Sequence, residues 1–197
     1  MVLPNYITHY FEADRGPFLN ICDLSDEEAE QVVCREKDAR TAFNRFAMGA
    51  DFLTWRREAD DLLIRAYAEK FGRPPEGRPY FALLGSFDKT LTMFREGRKI
   101  EIEVSEFSEG ELTFMYPDHA HLVTYYGSAA PALFYQPPPD WGLESFWGRL
   151  FTFTELLEEY SKLGIDRLIH AHKESDGWAG CYVEAHIWRR SLRNESW

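Results

Sequence analysis

An α+β fold is predicted by three observations. A capping box opens a helical pattern near residue 25, a second stripe with spacings of three and four runs over residues 51–71, and after residue 78 the pattern switches to short apolar runs. Ser25 is placed to cap the first helix, and Glu28, three residues on, to bond back to it. Val32, Val33, Ala39, Phe43 and Phe46 extend the expected helix from Asp26 to Phe46, and Gly49 interrupts it. From Asp51, the positions Phe52, Trp55, Ala59, Leu62, Leu63, Ala66, Tyr67 and Phe71 recur on one face. Gly72, Pro74 and Pro75 supply the stop.

Strands are expected at Tyr80–Leu84, Ile100–Val104 and Leu112–Tyr116, with a fourth at His121–Tyr126. Ile100, Ile102 and Val104 alternate with glutamates, and the spacing of this run and Leu112–Tyr116 predicts an antiparallel meander. The segment PALFYQPPPDWG reads as a surface loop, because proline cannot donate to a sheet or continue a helix. Thr152 and Glu155 form another capping box and Phe151 with Leu156 a hydrophobic staple, so a helix is expected from Thr152 to Gly164. The last strand, Cys181–Trp188, puts Tyr182, Glu184, His186 and Trp188 on one face and Val183, Ala185 and Ile187 on the other. The expectation is therefore an N-terminal helical pair packed on a mostly antiparallel β-sheet, with one further helix before the last strand, in a single domain spanning 1–197.

At 197 residues the chain is long enough to bury a core without covalent staples. Its formal charge of -11 opposes a phosphate backbone, so no nucleic-acid partner is expected, and an acidic balance favours cations in any cleft. The start, MVLPNYITHYFEADRG, has neither the charged nor the apolar region of a signal peptide, and no apolar run reaches membrane-spanning length. A cytoplasmic location without a membrane partner is expected. Cys22, Cys34 and Cys181 are odd in number and form no C-x-x-C, which argues against a disulfide framework or a zinc knuckle.

Chemistry concentrates in spaced pairs: His119 with His121, His170 with His172, and Glu184 with His186. On a strand, residues two apart share a face, so His119, His121, Glu184 and His186, with Asp118, have the residue types of a zinc or non-haem metal site. H-x-H is a weak spacing signal, and no metal is assigned from it; no motif indicates a cofactor. A histidine beside a carboxylate also serves acid–base work, and Glu184, an acid within CYVEAHIW, is the sharper candidate, with His119 as its companion. Arg149, Arg167 or Arg189 is the expected cation beside it. The cluster WRRE at Trp55–Glu58 reads as a solvated helix face. Tyr116, Asp118, His121, Tyr182 and His186 complete the candidate ligand-binding set.

Several segments in order, ITHYFEADRGPFLNICDLSDEEAE, RPYFALLGS, ELTFMYPD, GRLFTFTELL and YVEAHIW, resemble a family of uncharacterised bacterial proteins. The resemblance covers most of the chain, implies one bacterial domain and carries no activity. In that family's pattern a small hydroxyl residue follows YPD and Gln follows the late EA, where this chain has His119 and His186. The α+β order is also similar to ADP-ribosyltransferase-type folds, which place a glutamate on a late strand against the nicotinamide ribose. That likeness implies Glu184 in this role, with His9 or Tyr10 near the nicotinamide. The reading taken forward is a small-molecule-binding protein with an aromatic-lined pocket around Glu184, whether or not it acts on its ligand. Its rivals are an NAD-using enzyme of the type just named, and an interaction module in which Phe134, Tyr135 and Trp141 meet a partner or a second copy of the chain.

Overall fold

A computed structural model describes residues 3–41, 44–120, 146, 148–174 and 180–197. Five strands, β1 (Tyr6–Glu12), β2 (Tyr80–Leu84), β3 (Gly97–Glu103), β4 (Leu112–Met115) and β5 (Glu184–Ile187), form one sheet in the order β3-β1-β2-β5-β4. Every pairing is antiparallel. Among the described residues the α-helices are α1 (Asp26–Glu36), α2 (Ala50–Phe71), α3 (Phe153–Glu159) and α4 (Ile165–Glu174). The chain is α+β, with its helical pair near the N-terminus and a further helix, α3, before the last strand.

Directly paired residues of an antiparallel sheet point to the same side, so the register sorts the two faces. Ile7 pairs with Ile102 and Leu84, Ala82 with Ala185, Tyr80 with Ile187, and Phe114 with Ala185. This face packs with Phe151, Leu156, Tyr160, Ile165 and Ile169 into the main core. Fully burying a side chain such as Phe114 or Ile187 there contributes about 1.5–3 kcal/mol each. Thr8, Phe81, Leu83, Glu184, His186, Thr113 and Met115 take the other face. On that side Leu63 and Tyr67 of α2 pack with Met115 and Trp188, while Ala29, Val33, Phe46, Phe52, Leu53 and Ala59 join α1 to α2. The sheet is thus sandwiched between α1–α2 and α3–α4.

Local signals hold where they are most specific. Both capping boxes are made: Ser25 with Glu28, and Thr152 with Glu155. Gly72 ends α2 at φ 67, in the left-handed region that favours glycine. Other expectations need correction. The first helix stops at Glu36 and does not run to Phe46. Asn44 donates from its amide to the carbonyls of Glu36, Lys37 and Ala39, and its Oδ1 accepts from the Phe46 amide. A separate 3-10 turn, Arg45–Met48, follows. The helix beginning at Phe153 ends at Glu159, and α4 follows Gly164. The regular part of the last strand is shorter than Cys181–Trp188. The meander is also corrected: β3 and β4 lie at opposite edges, because β1, a strand with no expected counterpart, takes β3 as its partner. The strand expected at 121–126 lies outside the described residues. Among those residues, no helix is long and apolar enough to cross a membrane.

His9 is built into the fold. Its Nδ1 lies 2.8 Å from the Phe81 carbonyl, and its Nε2 accepts the Phe18 amide at 2.9 Å. The ring stacks on Phe18, with centroids 4.6 Å apart. Both nitrogens are used by a neutral imidazole, and burial pulls its pKa down to about 4 although the Phe81 carbonyl opposes the shift. The unfolded chain takes up this proton near pH 6.5 and the folded chain only near pH 4, so the group stabilises the fold above pH 6.5 and the gain disappears as pH falls to 4. Acidification across that window should remove about 3 kcal/mol of unfolding free energy from this residue alone. Urea denaturation at intervals of pH measures the slope. An NMR titration showing the His9 ring protonating near pH 6.5 in the folded protein would refute the assignment.

Candidate functional site

The side of the sheet under α1–α2 carries an unusual polar cluster. Glu184 of β5 is 7% exposed, His186 and Asp60 are fully buried, and His119 is 5% exposed. Glu184 Oε2 accepts the His119 backbone amide at 2.7 Å, and His119 Nδ1 lies 2.9 Å from the same oxygen. His186 Nε2 stands 3.1 Å from it. The tautomer of His186 follows from Glu184, which can only accept, so Nε2 of the neutral ring carries the proton and Nδ1 is the acceptor. Trp188 donates its indole N–H to Thr113 Oγ1 at 2.8 Å, leaving the Thr113 hydroxyl to donate to His186 Nδ1 at 3.2 Å. His186 then donates from Nε2 to Glu184, and the chain of donors from Trp188 to Glu184 closes without conflict.

Burial pushes the Glu184 carboxyl up, but the charge and hydrogen bond of His119 and the hydrogen bond of His186 outweigh it, so Glu184 is held well below the usual carboxylate range. Burial lowers the pKa of His186, against the pull of Glu184, which agrees with the neutral tautomer. His119 bridges two acids: its Nε2 faces Asp60 Oδ1 of α2 at 3.6 Å while Nδ1 holds Glu184. Asp60 in turn accepts Arg56 Nε at 2.9 Å and Asn20 Nδ2 at 3.1 Å. Burial raises the Asp60 pKa, and the charges of Arg56 and His119 with the Asn20 hydrogen bond bring it below its ordinary value. Phe81 of β2 stacks on His119 at 4.3 Å and carries the Arg56 guanidinium 4.2 Å from its ring centroid.

The partner of Glu184 is therefore neither Arg149, Arg167 nor Arg189. Arg149 pairs with Glu159, and Arg189 reaches the Glu106 carbonyl and Glu195. Arg167 lies against Gly164. The expected solvated face at Trp55–Glu58 is also corrected, because Arg56 points at the sheet and joins the cluster. Asp60, Arg56 and Asn20 were absent from the sequence candidates. A signal was present: Leu53, Arg56, Asp60, Leu63 and Tyr67 recur at three and four, so an opposite-charge i,i+4 pair interrupts a buried stripe.

A cavity of about 380 Å³ opens between the sheet and α1–α2. Glu184, Arg56, Phe81 and Asn20 border it at one end, and Glu12, Arg45, Phe46 and Phe94 are also in its wall. Tyr10 and Tyr182 line it too. The Tyr10 hydroxyl donates to Asp88 and accepts the Phe87 amide, and Tyr182 donates to Asp118 Oδ2 at 3.3 Å. Asp118 also accepts the Ala120 amide, which fixes the turn carrying His119. His9 borders the cavity, but both ring nitrogens are engaged with backbone. Tyr116 belongs to the main core and donates to the Gly180 carbonyl at 3.0 Å. The structure thus brings together Glu184, His119 and His186, places Asp118, Tyr182 and Tyr10 around them, and sends Tyr116 elsewhere. His121, Phe134, Tyr135 and Trp141 lie outside the described residues. Among the described residues, no group of three or more His, Cys, Asp or Glu side chains is arranged to hold a metal ion.

Comparison of the chain with protein-family models, curated proteins and solved structures found no match.

Proposed function

We propose that the protein binds a small organic molecule in the cavity between the sheet and α1–α2, with Glu184 accepting a hydrogen bond from it. The observation carrying this reading is that a carboxylate only 7% exposed borders a cavity of about 380 Å³ while three protein donors hold it in place. Such a volume is within the ordinary range for small-molecule sites, and the wall joins aromatic rings such as Phe46, Phe81 and Phe94 to charged groups that can fix a ligand's orientation. With its pKa held low, Glu184 is a weak base at neutral pH, so its role is to orient a ligand donor or stabilise positive charge on the ligand. His119, His186 and Asp60 act through it as positioning residues.

A saturation-transfer NMR screen of small aromatic amines, alcohols and amides tests the reading. Bound compounds should be lost in Val32→Trp, which fills the cavity from the α1 side, and weakened about tenfold or more in Glu184→Gln. Compounds binding the wild type and Val32→Trp alike would place the ligand elsewhere.

An NAD-using transferase is a second reading, favoured by one observation: Glu184, on the last strand, shares its cavity with Tyr10. The engagement of His9 by Phe81 and Phe18 leaves Tyr10 as the residue available for the nicotinamide end. Binding of NAD that Glu184→Gln weakens would favour this reading, and binding unaffected by that change would count against it.

A further inference from the structure

The cavity wall departs from the charge of the chain. Although the sequence carries -11 overall, five arginines border this cavity, Arg15, Arg35, Arg45, Arg56 and Arg193, against three acids, Glu12, Asp23 and Glu184. Four of the five arginines do not distinguish a ligand site from a structural network. Arg15 is spent on Glu12 and Glu36, Arg35 on Glu36, and Arg56 on Asp60, while Arg193 is exposed at the surface.

Arg45 is different. Among the described residues no carboxylate lies within ion-pair distance of it and no hydrogen bond from its guanidinium is made. The group lies 4.9 Å from the ring centroids of both Phe46 and Phe94. Arg45 is half-buried, and burial draws its pKa down to about 10, against the pull of Glu12. Arginine keeps its charge at any physiological pH, so the wall holds a permanent cation here. Thr90 borders the same cavity, four residues before Phe94, and its buried Oγ1 has no hydrogen-bond partner. Arg45 and the Thr90 hydroxyl thus line one cavity without a protein hydrogen-bond partner, in a wall that also holds Phe46 and Phe94.

The position also separates this place from Glu184. Glu184 pairs with Leu83 and Leu83 with Thr8, four residues before Glu12 on β1, so two strand spacings and four residues put Glu184 and Glu12 about 16 Å apart at Cα. Arg45 feels the charge of Glu12 more than that of Arg56, which borders Glu184, so it stands toward the Glu12 end of the cavity.

We propose that the occupant of the cavity is an organic anion, a carboxylate or phosphate on an aromatic or apolar body, whose charged group is received by Arg45 and Thr90. This rests on the reading of the cavity as a ligand site and names the class of ligand. Forked guanidinium donors match the two oxygens of either anion, and the flanking rings exclude water that would screen the pair. The ligand then neutralises a charge that the protein alone leaves unmatched.

Titration of the full chain at low salt with phenylacetate, phenyl phosphate and phenylacetamide tests the proposal. At least one anion should bind about tenfold or more tightly than the neutral amide, and whichever anion is preferred identifies the carboxylate or phosphate source. Arg45→Met should abolish that preference while leaving amide binding in place, and its Tm without ligand should stay near the wild-type value, since no direct ion pair is broken. Thr90→Val should weaken the preferred anion several-fold. Equal affinities for anion and amide, or a preference that survives Arg45→Met, would overturn the proposal. If anion and amide bind equally and Val32→Trp abolishes both, the cavity remains a ligand site and only the anion inference falls. If no probe binds, or Val32→Trp changes nothing, both fall.

Discussion

Replacing Asp60 by Asn is expected to lower the unfolding free energy by about 3–5 kcal/mol, the scale for breaking a buried ion pair from one side. The side chain is fully buried on α2, and Arg56 Nε, Asn20 Nδ2 and His119 Nε2 all converge on it at 2.9, 3.1 and 3.6 Å. An amide keeps the shape and one acceptor oxygen but removes the charge that offsets Arg56. It also presents an NH2 to groups that are themselves donors. The cost arises mainly from the uncompensated guanidinium beneath the sheet, so removing both charges should be gentler than removing one. The double variant Arg56→Met with Asp60→Leu should recover part of the loss, because apolar groups replace a pair whose desolvation cancels much of its attraction, while Asn20, His119 and Arg78 still lose Asp60. Urea denaturation of the two single variants and the double variant gives the coupling directly. An Asp60→Asn protein within about 1 kcal/mol of the wild type would mean that this pair is screened like a surface one.

This pair also shows how far the sequence could be read. Elements announced by local chemistry were legible: Ser25 with Glu28, Thr152 with Glu155, and Gly72 each act within one helical turn, and each is where the spacing placed it. The end of α1 was not legible, because it depends on Asn44 folding back on three carbonyls up to eight residues away. β1 escaped for another reason. It lies between two neighbours with helices covering both faces, so Tyr6, Ile7, Thr8, His9, Tyr10 and Phe11 show no alternation of apolar and charged positions. Within the candidate site Glu184 stood out as an acid in an apolar strand. Its contact with His119, 65 residues away, is set by the turn at Asp118 and by β4 pairing with β5, which no spacing rule encodes. Arg56 looked solvated as part of the charged cluster at Trp55–Glu58, because local charge pairs are ordinary on exposed helices, and Asp60 drew no notice. Only the face that α2 turns to the sheet makes them part of the site.

The second large effect is expected at Glu184, where two substitutions should separate charge from acceptor. Glu184→Leu removes both oxygens and strands three buried donors: the His119 amide, His119 Nδ1 and His186 Nε2. Each buried donor left without an acceptor costs about 1–3 kcal/mol, so the variant should lose at least about 3 kcal/mol and need added osmolyte to be recovered folded. Glu184→Gln keeps one oxygen, which can still accept from His186 and the His119 amide, and should lose about 2–3 kcal/mol for the charge-assisted bonds it weakens. The difference has a local readout. In the wild type the His186 Nε2 proton should be a slowly exchanging NMR signal, since the ring is fully buried and Glu184 accepts that proton. That signal should survive in Glu184→Gln and vanish in Glu184→Leu. A Glu184→Leu protein as stable as the wild type would show that the buried donors find other acceptors, and the carboxylate would then lose its claim to be the fixed polar centre of the cavity.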